Sequence, residues 1–212
     1  MEMQGLKINF LGDSITEGHG TSCEAARFTS LISAQQRAIT RCSGIGGTRI
    51  ARQTKPSENP RHDLDFVSRV DEMSADANVV VVFGGTNDFG HGDAPFGTFA
   101  DRTADTFCGA LHALYAALLE KYPAARLIVL TPTHRLGEDT PNMHGHVLRD
   151  YVEAIRRTAE YYSLPVLDLF ADSGIQPAVP VIREKYMPDG LHPNDAGHRL
   201  LAHQIARFIE SL

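Results

Sequence analysis

The sequence predicts a three-layer α/β domain in which helices cover both faces of a mostly parallel β-sheet. Five short apolar runs along the 212 residues have the length of strands. Segments with helical spacing of apolar residues lie between these runs, so strand and helix alternate along the chain. The run 79–83 contains four consecutive valines and no polar position, which is typical of a strand covered on both faces.

The strand candidates are short and rich in apolar residues, and glycine follows three of them closely. Five strands in about 200 residues favour the smaller doubly wound, flavodoxin-like order 2-1-3-4-5, with right-handed crossovers. No repeat or linker divides the chain, so we expect residues 1–212 to form one domain. The strand candidates are residues 7–11, 38–42, 79–83, 127–130 and 165–170.

The helix candidates have apolar residues three or four positions apart. The stripe that begins at Phe107 should end at Pro123, which cannot continue a helix. Either Asn194 or Asp195 is expected to be the N-cap of the last helix. The stripes are Phe28, Leu31 and Ile32; Phe66, Val70 and Met73; Phe107, Leu111, Leu114 and Leu118; Leu148, Tyr151 or Val152, Ile155 and Ala159; and Leu201, Ile205 and Phe208.

Charge and composition disfavour several classes of partner. The formal net charge is −6 and the basic residues are scattered, so we expect neither nucleic acid nor an anionic membrane as a partner. No segment is long and apolar enough to span a bilayer, and the N-terminal stretch lacks signal-peptide features, which predicts a soluble cytoplasmic protein. The three cysteines, Cys23, Cys42 and Cys108, have no metal-like spacing and are expected to be free thiols.

Four polar or glycine-rich clusters fall near the carboxyl edge of the predicted sheet, where open parallel sheets bind ligands. In the order 2-1-3-4-5, the first and third strands are neighbours, so Ser14 and Asn87 should face each other across a crevice. Two long polar loops, 52–63 and 131–146, are expected to shape the site. The clusters are GDSIT (12–16), SGIGGT (43–48), GGTND (84–88) and PDGLHPND (188–195).

Ser14 has two interpretations. The stretch SITE fits a helix capping box, and a serine after a strand is more often a cap than a nucleophile. A nucleophilic serine needs a base and an acid that orients the base, and Asp189 and His192 lie three residues apart. These two can also be an ordinary turn aspartate and a loop histidine. The coincidence of all four clusters at one edge favours catalysis.

Taken in their order along the chain, the four clusters resemble the sequence blocks of the SGNH hydrolases, the GDSL-type esterases and lipases. The resemblance implies an ester hydrolase in which Ser14 is the nucleophile, His192 the base and Asp189 its orienting acid. It also implies no metal or other cofactor. An asparagine that is common just before the second block is absent, because Cys42 and Ser43 stand there.

The same resemblance implies an oxyanion hole made by the N–H groups of Ser14 and Gly47 and the side-chain amide of Asn87. Gly46 is the alternative to Gly47, since consecutive glycines leave the register open. The expected substrate is a short-acyl ester, such as an acetyl ester, of a small soluble molecule. A lysophospholipase or a thioesterase is the alternative within the family.

A non-catalytic nucleotide- or flavin-binding module is the alternative from another class. The sequences G-x-x-x-x-G-K-[ST] and G-x-G-x-x-G, which would support it, are absent.

Other polar residues near the clusters carry weaker expectations. Asp13 is expected to bind loop N–H groups. Glu17 and His19 are candidate substrate contacts, and Arg49 and Arg135 are candidate rim residues that could meet a polar or anionic ester. His144 and His146 are expected to belong to a solvated loop and not to a metal site. His198 and His203 are expected to lie on the surface of the last helix.

Overall fold

A five-stranded, all-parallel β-sheet in the order β2-β1-β3-β4-β5 forms the centre of the molecule. The computed structural model describes residues 1–212. The predicted strand order is therefore confirmed. The strands are β1 (Lys7–Gly12), β2 (Ile39–Gly44), β3 (Val79–Phe83), β4 (Arg126–Leu130) and β5 (Val166–Leu167).

Helices occupy the connections between the strands, together with 3₁₀ turns at Glu24–Ala26 and Pro60–Asp63. Several helices are single turns at the carboxyl edge of the sheet. The helices are α1 (Ser14–Glu17), α2 (Phe28–Gln36), α3 (Phe66–Arg69), α4 (Thr86–His91), α5 (Phe107–Lys121), α6 (Leu148–Tyr161), α7 (Leu169–Asp172), α8 (Pro180–Tyr186) and α9 (Asp195–Ser211).

Different helices cover the two faces of the sheet, which gives the predicted three layers. Helices α3, α5 and α6 pack on one face, whereas α2 and α9 pack on the other. Successive side chains of a strand point to opposite faces. Val80 and Val82 therefore join the first core, and Val79 and Val81 join the second. The uninterrupted valines of β3 are explained by this burial on both sides.

The long helices begin and end where their sequences predict. Helix α5 follows its N-cap Thr106, whose side chain accepts a backbone N–H of the first turn, and it ends ahead of Pro123. The side chain of Asn194 accepts the N–H groups of Ala196 and Gly197 at the start of α9. Asn194 is therefore the N-cap of the last helix.

Two predicted elements are shorter than expected. The strand predicted over 165–170 pairs only through β5, because the side chain of Asp168 accepts the N–H of Ala171 and starts helix α7. The helix predicted around residues 66–73 is the single turn α3. Its apolar residues are nevertheless buried in the first core, so the stripe predicted burial better than it predicted helix length.

The prediction that His198 lies on the surface of the last helix is wrong. Its side chain is fully buried between α9 and α2, and its Nδ1 accepts the N–H of Phe28 at 3.1 Å. That N–H lies in the first turn of α2 and has no intrahelical partner, so the imidazole supplies one. Burial lowers the pKa of His198 to about 4, which keeps the ring neutral. His203 is exposed, as predicted.

None of the helices has the length and hydropathy that crossing a lipid bilayer requires. The single-domain organisation and the cytoplasmic location stay predictions from the sequence.

Replacing Leu111 with alanine tests the first core. Leu111 lies on α5 and its side chain is 0% exposed. We expect Leu111→Ala to lower the free energy of unfolding by about 2–5 kcal/mol, because the lost contacts leave a cavity. Urea denaturation measures the change. Val181→Ala is the control, since Val181 is 67% exposed and should change stability by less than about 0.5 kcal/mol. Equal effects of the two substitutions would contradict the assignment of the core.

Candidate active site

The carboxyl ends of β1, β2 and β3 lie at one level of the sheet. Gly12 pairs with Gly44 of β2 on one side and with Phe83 of β3 on the other. The segments that follow these strands therefore leave the sheet next to one another. As a result, Ser14 and Asn87 line the same cleft, as the predicted strand order requires.

Ser14 is the first residue of α1, and it is not the cap of that turn. The side chain of Asp13 caps α1, since its Oδ1 accepts the N–H of Ile15 at 3.0 Å. Glu17 does not complete a capping box either, because its carboxylate accepts the N–H of Gly46 at 2.6 Å. The capping interpretation of Ser14 is therefore wrong, and the expected structural role of Asp13 is confirmed. The Ser14 N–H, in the first turn, has no intrahelical acceptor.

Ser14, His192 and Asp189 form a continuous chain of hydrogen bonds. The Ser14 Oγ lies 3.0 Å from His192 Nε2. On the other side of the ring, His192 Nδ1 lies 2.7 Å from Asp189 Oδ2. When Nδ1 carries the proton it donates to the carboxylate, and Nε2 is then free to accept the Ser14 hydroxyl. This tautomer is the one that lets an imidazole act as a base toward serine.

Asp189 also organises the turn that carries His192. Its Oδ1 accepts the N–H groups of Leu191 at 2.8 Å and of His192 at 2.7 Å. Partial burial acts to raise the pKa of Asp189, but these two hydrogen bonds and the one from the imidazole outweigh it. The pKa of Asp189 therefore lies below its usual range, and the carboxyl stays ionised. The turn interpretation and the orienting role are thus both compatible with this side chain.

The 131–146 segment packs directly against this turn. Leu136 donates its N–H to the carbonyl of Gly190 at 2.8 Å. Gly190 has a φ of +78°, and a Cβ there would lie 2.5 Å from the Leu136 side chain. Only glycine fits this position without displacing one of the two segments. The predicted loop therefore forms part of the wall beside His192.

The glycine turn after β2 presents one free N–H to the cleft. The N–H of Gly46 is occupied by Glu17, whereas the N–H of Gly47 has no partner in the protein. Gly47 has a φ of +77°, and a Cβ there would lie 2.4 Å from the ring of His62. Of the two glycines, Gly47 is therefore the one able to donate to a ligand. Both the left-handed backbone and the adjacent imidazole require glycine at this position.

Asn87 lies in the first turn of α4, opposite this glycine turn. Its Nδ2 donates to the carbonyl of Thr48 at 2.9 Å. An amide nitrogen carries two hydrogens, so this bond fixes the side chain and leaves one N–H for the cleft. Ser14, Gly47 and Asn87 all line the cleft, and their donors come from the ends of three adjacent strands.

A buried arginine, which the sequence did not single out, joins the ends of β1 and β2. The Arg69 side chain is 3% exposed and donates to the carbonyls of Ser43 at 2.7 Å and Gly12 at 3.1 Å. It also donates to the Thr48 hydroxyl at 3.1 Å. Burial lowers the pKa of Arg69 to about 10, and the Asp13 carboxylate acts in the opposite direction. The guanidinium therefore holds the strand ends next to Ser14 in a fixed position relative to each other.

Two buried carboxyl groups lie beneath the cleft. Burial raises the pKa of Asp13 to about 7 and that of Asp88 to about 6. The side chain of Asp88 accepts the N–H groups of Ile50 at 3.0 Å and Ala51 at 2.9 Å, so it connects α4 to the segment after the glycine turn. Both carboxyls therefore hold backbone segments of the site in place.

The cleft that contains Ser14 has a volume of about 350 Å³ and a polar lining. Leu191 is its one apolar side chain. Several of the lining residues come from the 52–63 loop, which supports the expected role of that loop. The lining residues are Ser14, His19, Gly46, Gly47, Asn59, Arg61, His62, Asn87, His91, Arg135, Leu191 and His192.

Of the four residues that the sequence suggested as substrate contacts or rim residues, two line this cleft. His19 and Arg135 line it, whereas Glu17 and Arg49 do not. Glu17 pairs with Arg61 and lies 3.5 Å from His19, and both of these residues line the cleft. Arg49 is buried and lies 3.5 Å from Asp63, so the prediction of a rim role for Arg49 is wrong.

His144 and His146 lie in a loop, as predicted, but neither ring is fully solvated, since the Nε2 of His144 is buried and the His146 side chain is 35% exposed. The ring of His146 stacks on Phe96, with centroids 4.0 Å apart, and its Nδ1 lies 3.1 Å from Asp150. No group of three or more His, Cys, Asp or Glu side chains in the protein is arranged to hold a metal ion.

Comparison with known proteins identifies the family. The family model described as GDSL-like lipase/acylhydrolase matches residues 10–200. The chain belongs to the GDSL-like lipase/acylhydrolase family. The GDSL resemblance predicted from the four clusters is confirmed, and the protein is a hydrolase of ester bonds. Family membership favours this over the non-catalytic nucleotide- or flavin-binding module.

One similar protein carries the family name, and two solved structures share the fold. A GDSL lipase from Mycobacterium tuberculosis is 29% identical over 209 residues, which are 95% of this chain and 80% of that protein. A solved structure of a protein from Lactobacillus plantarum is 29% identical with a TM-score of 0.85, covering 99% of this chain and 98% of that one. The solved structure of a lipase/acylhydrolase from Enterococcus faecalis shares the fold of this GDSL hydrolase. It is 22% identical with a TM-score of 0.69, covering 97% of this chain and 96% of that one.

The buried carboxyl of Asp13 gives this hydrolase a testable pH dependence of stability. Its pKa of about 7 in the folded state exceeds the ordinary value of 3.8, so folded protein binds this proton more tightly than unfolded chain. Its contribution to stability is therefore lost as the pH rises from about 4 through about 7. Asp13→Asn keeps the capping oxygen and removes the titration. The unfolding free energy of the variant minus that of the wild type should rise by about 1–4 kcal/mol between pH 4.5 and pH 8.

Asp76→Asn is the control for this measurement. Hydrogen bonding to Lys7 lowers the pKa of the exposed Asp76 carboxyl, so its contribution to stability appears as the pH rises. That contribution is already complete at pH 4.5, because the pKa of Asp76 lies below 3.8, so the difference between Asp76→Asn and the wild type should stay constant between pH 4.5 and pH 8. Urea denaturation at several pH values measures both differences. A difference for Asp13→Asn that does not vary with pH would contradict the raised pKa.

Proposed function

We propose that this hydrolase cleaves a short-acyl carboxylic ester, such as an acetyl ester of a small soluble molecule, by a Ser-His-Asp triad. The observation that carries the proposal is the 3.0 Å separation of Ser14 Oγ and His192 Nε2 in a cleft with free N–H donors. A serine and an imidazole at this distance have the geometry of a nucleophile and its base.

Ser14 attacks the ester carbonyl while His192 Nε2 takes the hydroxyl proton. Asp189 keeps the other ring nitrogen protonated and stabilises the imidazolium as it forms, without taking the proton itself. The low pKa of Asp189 supports this role, because an ionised carboxylate is needed next to the cation. The tetrahedral intermediate then collapses, and His192 gives its proton to the leaving alcohol.

The negative charge on the carbonyl oxygen is stabilised by the N–H groups of Ser14 and Gly47 and the amide of Asn87. The free N–H of Gly47 and the fixed amide of Asn87 support this assignment, since preorganised donors cost no rearrangement during the reaction. The Glu17 carboxylate contributes indirectly, because it removes Gly46 from competition and fixes the turn. Water then attacks the acyl-enzyme with His192 as base, which releases the acid and restores Ser14.

The lining of the cleft favours a short acyl group over a long one. A fatty acyl chain gains about 0.8 kcal/mol for each methylene that it buries in apolar surroundings. The cleft offers one apolar side chain, Leu191, among twelve lining residues, so a long chain would find few apolar partners. This observation favours a short-acyl esterase over the lysophospholipase alternative.

Removal of the proposed nucleophile or base tests the mechanism. We expect Ser14→Ala and His192→Ala to reduce kcat for 4-nitrophenyl acetate on the order of 10⁴-fold or more. Asn87→Ala should reduce it on the order of 10²–10³-fold, because one oxyanion donor is lost. His203→Ala is the control, since His203 is exposed on α9 and does not line the cleft. Wild-type turnover by Ser14→Ala would refute the triad.

A series of 4-nitrophenyl esters from acetate to decanoate tests the preference for short acyl groups. We expect kcat/KM to be highest for acetyl to butyryl esters and to fall for longer chains, because the polar cleft offers little apolar surface. Initial rates below the critical micelle concentration of each ester give the comparison. A maximum at octanoate or beyond would favour a lipid substrate instead.

A further inference from the structure

The wall of the Ser14 cleft carries basic side chains and no carboxylate. Two arginines, Arg61 and Arg135, line it together with four imidazoles, whereas no aspartate or glutamate does. The chain as a whole has a formal net charge of −6. A cleft of positive character in an acidic protein attracts anions to one place on the surface.

The two arginines differ in how their charge is compensated. Arg61 forms an ion pair with Glu17, so its charge is neutralised within the protein. Arg135 forms no ion pair. Its Nη1 donates to the backbone oxygen of Thr86 at 3.1 Å and to the Thr86 hydroxyl at 3.3 Å, and both acceptors are neutral. Arg135 is therefore the cleft arginine whose charge no carboxylate balances.

The other two guanidinium nitrogens of Arg135 have no partner in the protein. Its Nε is buried and makes no hydrogen bond, and its Nη2 makes none either. Burial lowers the pKa of Arg135, although the carboxyls of Asp13, Glu138 and Asp189 act in the opposite direction from a distance. A half-buried charge without a counter-ion is costly, and an anion bound in the cleft would remove that cost.

Neighbouring contacts fix the position of this guanidinium. It lies 5.5 Å above the ring of Phe89, and its Nη1 is so close to Gly90 that a Cβ there would lie 2.6 Å away. The backbone N–H of Arg135 is held by Glu138 at 3.0 Å. The side chain is thus positioned before any ligand arrives, which lowers the entropy lost on binding.

We propose that the natural ester carries a carboxylate and that Arg135 binds this carboxylate while Ser14 attacks the ester carbonyl. The inference rests on the proposed function and names its substrate class: small esters with an anionic group in either the acyl or the alcohol part. Leu191 and the imidazoles of the cleft contact the uncharged remainder. Arg135 is the residue that determines this specificity.

Two pairs of matched esters test the proposal. Monomethyl succinate and methyl succinamate carry a carboxylate or a neutral amide in the acyl part. Acetoxyacetate and acetoxyacetamide carry the same two groups in the alcohol part. We expect kcat/KM, measured by proton release, to favour the anionic member of at least one pair by roughly ten- to hundredfold, which is the range for a charge-assisted hydrogen bond.

Variants of Arg135 connect this preference to the side chain. Arg135→Gln should bring the anion-to-amide ratio of kcat/KM close to one, whereas Arg135→Lys should keep part of it because the charge remains. Arg149→Gln is the matched control, since Arg149 is an exposed arginine that does not line the cleft, and it should keep the full ratio. The wild-type ratio should also fall as salt increases, which requires no variant.

The possible outcomes separate this inference from the proposed function. A wild-type ratio near one in both pairs, with 4-nitrophenyl acetate still hydrolysed, would overturn the carboxylate specificity and leave the esterase intact. Failure to hydrolyse either anionic ester, with 4-nitrophenyl acetate still hydrolysed, would also overturn the carboxylate specificity and leave the esterase intact. A ratio that persists in Arg135→Gln would remove Arg135 from the proposal. Hydrolysis that Ser14→Ala does not abolish would overturn the proposed function itself.

Discussion

The hydrogen bonds of the buried Arg69 are the constraint on which the rest of the site depends. This side chain reaches the carbonyl oxygens of Gly12 at the end of β1 and Ser43 near the end of β2, and the hydroxyl of Thr48. Parallel strands alone bring Gly12 and Gly44 to one level, but the segments beyond them have no ladder to follow. The guanidinium supplies hydrogen-bond donors there, and its charge stabilises the Asp13 carboxylate beneath the cleft. The positions of Ser14 and of the Gly47 N–H both follow from this arrangement.

The fold was predictable because its strongest signals are local. The valines of β3 are buried on both faces, and the stripes on α5 and α9 keep a regular period, so each element could be recognised without its neighbours. The strand order then placed Ser14 and Asn87 at one edge. Three of the four sequence clusters were recognisable for the same reason, since each places glycine at or directly after the end of a strand, where the backbone approaches its neighbours closely.

The errors share one cause, which is that tertiary contacts decided between locally equal alternatives. Sequence alone could not show that Asp13 caps α1 in place of Ser14, or that Glu17 turns toward Gly46. The burial of His198 depends on a helix that begins far away along the chain, at Phe28. Arg69 and His62 gave no signal, because an arginine beside a short apolar run and a histidine in a polar loop are ordinary in sequence.

The contact between Leu136 and Gly190 has a consequence for how this enzyme can diverge or be redesigned. It joins the segment that holds Arg135 to the turn that holds His192, with a backbone hydrogen bond of 2.8 Å and a close packing of side chain on glycine. An insertion or deletion in one segment would shift the other, and His192 with it. New selectivity is therefore more accessible through point substitutions at the cleft wall than through grafted loops.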